Sequence, residues 1–210
     1  MRSLIIAGLA SGLLLAGCGS TASTPAPVEA GSQTGEMAAA SADCPLGPPA
    51  QGQFQVYSGM GNDGVVGSIY NDTMQTIDIG HRSSVDKPCA LKPGERMAFS
   101  ASSPYGEAFF AVRQGANVGA LVTVSDPSVG YPSASVSGFS GRDGCGAEDS
   151  SPGLREGQEW RSSYLASGAV TIKRLSDDGA AARQWSGIDS WKVDDWARMD
   201  IRIERLGEGC

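Results

Sequence analysis

Three observations predict an all-β fold for this chain of 210 residues. Apolar and polar residues alternate in short stretches, turn residues separate those stretches, and an even number of cysteines lies between Cys44 and Cys210. Together they predict a single β-sandwich, or a related barrel, of about eight to ten short strands stapled by two disulfides. Helical periodicity is nearly absent. The one helix-permissive stretch, Ala180 to Trp185, is too short to shape the fold.

The alternation is read strand by strand. Gln53-Phe54-Gln55-Val56-Tyr57, Thr76-Ile77-Asp78-Ile79 and Arg96-Met97-Ala98-Phe99 each put apolar residues on every second position, which gives a strand one dry face. Ala108 to Val112 and Ala120 to Val124 are continuous apolar runs, the pattern of strands buried on both faces. Ser133-Ala134-Ser135-Val136, Ala169-Val170-Thr171-Ile172 and Met199-Asp200-Ile201-Arg202-Ile203 complete the set. Between them, Asn62-Asp63-Gly64, Asn71-Asp72, Lys92-Pro93-Gly94, Ser103-Pro104-Tyr105-Gly106, Asp126-Pro127 and Asp177-Asp178-Gly179 are turn signals, because Asn, Asp, Pro and Gly each favour a bend for their own steric reason. Asp194-Asp195 is read as a turn before the last strand.

A short echo joins two of these turns. Leu91-Lys92-Pro93-Gly94-Glu95 and Leu154-Arg155-Glu156-Gly157-Gln158 both read Leu-x-x-Gly followed by Glu or Gln. A leucine plugging the core, a glycine-permitted turn and a polar residue opening the next strand would place both at equivalent corners of a two-sheet structure.

The N-terminus has a different character. Met1-Arg2-Ser3 gives a basic start, Leu4 to Leu15 is apolar apart from Gly8, Ser11 and Gly12, and the small residues Ala16 and Gly17 precede Cys18. This is signal-peptide anatomy over residues 1–17, and the run is shorter than the roughly 20 apolar residues of a membrane-spanning helix. Leu15-Ala16-Gly17-Cys18 resembles the lipobox of bacterial lipoproteins. The resemblance implies that Cys18 takes a diacylglyceryl group and, after cleavage before it, becomes the first residue of a protein held at the extracytoplasmic face of the cell membrane. Two fatty chains hold firmly where one binds marginally, at about 0.8 kcal/mol per buried methylene.

Residues 18–43 read as a lipid-anchored flexible tether, rich in Ser, Thr, Pro and Ala with Val28 and Met37 as its sizeable apolar residues. Such a segment buries too little to offset the entropy of ordering, and as a random coil it reaches roughly 25 to 30 Å. Residues 44–210 are then one domain of ordinary size. In an exported domain Cys44, Cys89, Cys145 and Cys210 are expected to form two disulfides. Pairing Cys44 with Cys210 follows the tendency of domain termini to lie close together and leaves Cys89 with Cys145. Pairing neighbours, Cys44 with Cys89 and Cys145 with Cys210, satisfies the same count. No two cysteines have zinc-knuckle spacing.

Charge narrows the partners. The formal net charge is −7 with no run of Lys or Arg, which argues against nucleic acid and against polybasic membrane contact. The sole histidine, His81, follows Asp78-Ile79-Gly80 and precedes Arg82-Ser83-Ser84, so a Ser, His and Asp trio is formally available. No nucleophile motif accompanies it. Asp143-Gly144-Cys145-Gly146-Ala147-Glu148-Asp149 reads as a glycine-rich acidic loop with calcium-type oxygen ligands, yet its spacing matches no calcium motif. No catalytic residue, metal site or cofactor is assigned.

Trp185, Trp191 and Trp196 fall close together near a chain reversal. If exposed they would form a platform for a glycan, peptide or lipid ligand, since an indole has a wide apolar face and one donor; the competing expectation is that they cap the core. Tyr105 and Tyr131, beside turn residues, would extend such a rim. The expected function is therefore a membrane-anchored, noncatalytic binding or interaction module. The alternative is an extracytoplasmic hydrolase using His81 or a carboxylate pair, and a lipid-binding or pore-forming protein ranks last.

That last class enters through a second resemblance. Ile69-Tyr70-Asn71-Asp72-Thr73 with Ile77, then Leu91, Pro93, Gly94 and Glu95 leading to Met97 and Phe99, resembles the opening of aegerolysins and actinoporin-like secreted β-sandwiches. Over about thirty residues the resemblance implies the fold and no catalytic group.

Overall fold

The computed structural model describes residues 42–44, 46, 55–57, 63–81, 88–102, 106–115, 118–127, 129–140, 143–162, 168–175, 183–184 and 194–207. The signal segment, the tether up to residue 41 including Cys18, and Cys210, Tyr105, Trp185 and Trp191 lie outside them; the last two residues of the expected tether, Ala42 and Asp43, are instead a short strand of the domain. Ala39–Cys210 forms one compact unit.

Alternating sequence becomes two packed sheets. Among the described residues there are thirteen strands: β1 Ala42–Asp43, β2 Gln55–Tyr57, β3 Gly64–Asn71, β4 Ile77–His81, β5 Cys89–Leu91, β6 Arg96–Ser102, β7 Glu107–Gln114, β8 Val118–Ser125, β9 Ser133–Ser140, β10 Asp143–Ser150, β11 Glu159–Ser162, β12 Gly168–Arg174 and β13 Ala197–Leu206. One sheet runs β1-β5-β4-β7-β8-β9-β10 and the other β11-β12-β13-β3-β6-β2. Their inner faces share one core, including Ile77, Ile79, Phe110, Val112, Val122 and Val136 from the first and Val65, Ile69, Phe99, Ile172, Met199 and Ile201 from the second. Phe99 and Phe110 meet edge to face with centroids 4.7 Å apart, an aromatic contact that adds roughly 0.5–1.5 kcal/mol beyond the area it buries.

Strand β3 is the principal element that alternation does not predict. Val65 and Val66 are both solvent-free and Ser68 and Asn71 are buried, so neither face is wet and no period of two survives. Gly64, read above as part of a turn, opens this strand. Strand β3 pairs in parallel with β13, Gly67 opposite Met199, and a Cβ at Gly67 would lie 1.6 Å from the Met199 carbonyl oxygen. Only glycine fits there.

Strand β13 joins both halves of its sheet, pairing in parallel with β3 and antiparallel with β12. Strands β6 and β11 then pair antiparallel outside β3 and β12. The directions of these strands are related by an approximate two-fold axis normal to the sheet through β13. The two Leu-x-x-Gly corners obey it. Each carries the chain from the first sheet to the second, from β5 to β6 and, by way of residues 151–158, from β10 to β11.

The corners match bond for bond. Glu95 N–H donates to the Lys92 carbonyl at 3.0 Å and Gln158 N–H to that of Arg155 at 2.9 Å. Gly94 and Gly157 both have φ near +76°, the third position of a type II turn. The Glu95 carboxylate accepts from Lys92 N–H, and the Gln158 side-chain oxygen from Arg155 N–H, both at 2.8 Å. Leu91 and Leu154 are buried. Their carbonyls accept from the Asn71 carboxamide at 2.8 Å and the Arg174 guanidinium at 2.9 Å. Asn71 ends β3 beside Ile203, and Arg174 ends β12 beside Met199, so the corners stand at opposite ends of the sheet.

The preferred disulfide pairing is corrected. Cys44 is bonded to Cys89, not Cys210, because β1 lies parallel to β5 with Ala42 opposite Cys89, which brings the start of the domain to the sheet edge there. The neighbour pairing is thus the one that forms at this end. It closes a loop of 45 residues and contributes about 4 kcal/mol in the chain-entropy view.

Replacing Asn71 with Ala removes the carboxamide bonds to the Leu91 and Gln75 carbonyls and should lower stability by about 1–3 kcal/mol in urea unfolding, whereas Glu95→Gln, which copies the other corner, should change it by less than about 0.5 kcal/mol. The paired change Cys44→Ala and Cys89→Ala should cost about 2–4 kcal/mol. Mass spectrometry of unreduced peptides should return Cys44–Cys89 and, from the remaining count, Cys145–Cys210.

Candidate functional site

Among the described residues, the outer face of the first sheet carries a polar surface. Strands β7 to β10 are neighbours there, and register sets their outward residues in rows. Phe109 stands opposite Thr123, Thr123 opposite Ser135, and Ser135 opposite Ser150. The next row is Glu107, Ser125 and Ser133. Together with Glu148, Ser151 and the backbone around Ala134 they line an open groove of about 310 Å³. Four strands at about 4.8 Å spacing make it about 14 Å across.

Hydrogen bonds fix much of the lining. The Ser125 and Ser133 hydroxyls are 2.9 Å apart, Ser150 donates to the Glu148 carboxylate at 3.0 Å, and Ser151 Oγ accepts from Ala134 N–H at 2.9 Å. Phe109 is partly exposed and packs on Ala111 and Leu121, which are buried on the same outer face. The groove therefore presents a held aromatic ring among short hydroxyl side chains. Exposed Val129 and Tyr131 lie in the loop joining β8 to β9, and the Arg155 guanidinium stacks 5.5 Å from the Tyr131 ring centroid.

Glu107 and Glu148 both line the groove, but they stand on β7 and β10, three strand spacings apart and in different rows. Their backbones are on the order of 15–20 Å apart.

Other candidates are placed as follows. Trp196 is not a platform residue: it is 2 % exposed, and its ring lies over Gly64, where a Cβ would meet the indole at 2.6 Å. Burial of so large an apolar face outweighs display. Trp185 and Trp191 lie outside the described residues, so no cluster of the three is formed by what is described. His81 ends β4 opposite Phe110, and its side chain lies outside the described set. The acidic segment Asp143–Asp149 is not a loop but most of strand β10, irregularly paired with β9 between Cys145 and Asp149. Among the described residues no three His, Cys, Asp or Glu side chains cluster as metal ligands. The predicted turn at Asp194-Asp195 precedes β13 as expected.

A second polar cluster, on the outer face of the six-stranded sheet, is internally paired. Arg202 bonds Asp72 at 2.8 Å and stacks 4.3 Å from the Tyr70 ring centroid. Tyr70 in turn donates to Asp200 at 3.3 Å. Burial pushes the Asp200 carboxyl above its ordinary range, opposed by the Tyr70 hydrogen bond and by Arg198 and Arg202. Of the residues that carry the aegerolysin-like resemblance, Ile69, Asn71, Ile77, Leu91, Met97 and Phe99 are buried at the core and the first corner, Tyr70 and Asp72 belong to the paired cluster just described, and Pro93 and Gly94 form the exposed tip of the turn.

What folds is an all-β sandwich with one open polar groove described on its surface. No family model, curated protein or solved structure matches the chain.

The Asp200 environment yields a pH prediction. Its folded-state pKa is raised above the unfolded value, so its contribution to stability is fully present below the unfolded pKa and is lost as pH rises through the folded pKa. Asp200→Asn should therefore raise the urea midpoint at pH 7 and leave it nearly unchanged near pH 3. A mutant less stable than the parent at pH 7 would contradict this.

Proposed function

We propose that this protein is a lipid-anchored module of the extracytoplasmic membrane face that binds a ligand in the groove across β7 to β10 and performs no chemistry on it. The groove is the observation that carries the reading. It has a rigid floor, an aromatic ring and polar groups fixed by mutual hydrogen bonds, the makings of a binding surface. The wide separation of Glu107 and Glu148 supports binding over hydrolysis.

Placement at the membrane rests on Leu15-Ala16-Gly17-Cys18 and the apolar run before it. The buried Cys44–Cys89 disulfide supports an oxidising compartment, where such bonds persist. Among the described residues no helix is long and apolar enough to cross a membrane.

Two measurements test the reading. The parent protein should partition into the detergent phase with a diacylglyceryl group on Cys18, and Cys18→Ala should move to the aqueous phase; an unacylated residue 18 in the native product overturns the anchor. Hydrogen exchange of the lipidated protein with solubilised envelope fractions should protect β7 to β10 and leave ligand masses unchanged. Protection confined to the six-stranded sheet, no protection, or a cleaved ligand overturns the binding role.

A further inference from the structure

We propose that the ligand of this groove is a neutral oligosaccharide, an inference that rests on the binding-module reading above. Side chains from the middle of the groove outward are hydroxyls: Thr123, Ser125, Ser133, Ser135 and Ser150. A hydroxyl donates and accepts alike, so the complementary ligand also does both at many points, which is the character of a sugar chain.

The charge of the described lining favours a neutral ligand over the competing ones. Among the described residues no Lys, Arg or His lines the groove, so an anionic group meets no charged donor among them, and the chain's net charge of −7 repels polyanions at a distance. A compact cation needs acids converging on one point. Glu107 and Glu148 stand at far corners instead, and Glu148 already accepts from Ser150. Phe109 supplies what remains: an apolar face at the end of the central row, held by Ala111 and Leu121, against which the C–H face of a sugar ring can lie. Ser and Thr side chains lose little entropy when a ligand fixes them, and the ring is ordered beforehand. A width of about 14 Å suits a short oligosaccharide better than a single ring.

The test uses the full lipidated protein in a detergent without a sugar headgroup. Maltotetraose, mannotetraose, arabinotetraose and chitotetraose are titrated by calorimetry and NMR, with spermine as a cationic probe. At least one tetrasaccharide should bind saturably, with an affinity that salt leaves unchanged, because no charge is neutralised. Ser135→Arg, which fills the middle of the groove, and Phe109→Leu, which keeps apolar bulk but removes the ring, should each weaken that binding about tenfold or more with unfolding midpoints held. Failure of all four sugars to bind, or binding that survives both changes, overturns the proposal. Salt-sensitive spermine binding abolished by Ser135→Arg, with no sugar bound, overturns the saccharide and leaves the groove a binding site. Absence of any ligand here together with absence of protection by envelope fractions removes both.

Discussion

The second sheet depends on the approach of two backbones. At Gly67 strand β3 comes so near β13 that any side chain would collide with the Met199 carbonyl, and the parallel register from Ala197 opposite Val65 to Ile203 opposite Asn71 follows from that contact. Close backbone approach of this kind is available to glycine alone. Because β13 also holds β12 on its other edge, it sets where Asn71 and Arg174 fall. Those two positions then decide where the chain turns from one sheet into the other.

The corners show why one short motif serves twice. A chain leaving one sheet for another must satisfy its peptide groups with no ladder at hand. At both corners a positive-φ glycine closes the turn, a Glu or Gln side chain caps the N–H of the turn's first residue, and the preceding leucine plugs the core. Asn71 at one and Arg174 at the other differ in size and charge, yet each donates to the leucine carbonyl. Five residues of sequence carried the echo; the bonded partner, supplied by a strand distant in the chain, did not show. Arg174 is therefore a structural residue that composition would count as surface charge.

The groove has the opposite history. Ser133 and Ser135 are the outward half of an alternating strand, so sequence marks them as solvent-facing and nothing more, while Thr123 lies in a run whose pattern predicts burial on both faces and Ser125 just beyond it. They become a site because β7, β8, β9 and β10 are neighbours in register. Aromatic residues mislead in the other direction. Trp196 carries the apolar area expected of a platform, and that same area draws it over Gly64 into the interior, whereas Phe109, one of a continuous apolar run, is the ring left partly exposed on the polar face.

Local patterning determined the all-β class, most strand positions, the turns at Asn71-Asp72 and Lys92-Pro93-Gly94, and the likeness of the two corners, because alternation and turn chemistry act between residues near in sequence. Tertiary structure decided the rest. It chose Cys89 as the partner of Cys44, turned the acidic stretch from Asp143 into a strand, buried Trp196, and made β3 a central strand although neither of its faces is wet. Each of these depends on which strands become neighbours, a choice made by the shared core and by close backbone packing, and a one-dimensional pattern of polar and apolar residues carries no record of it.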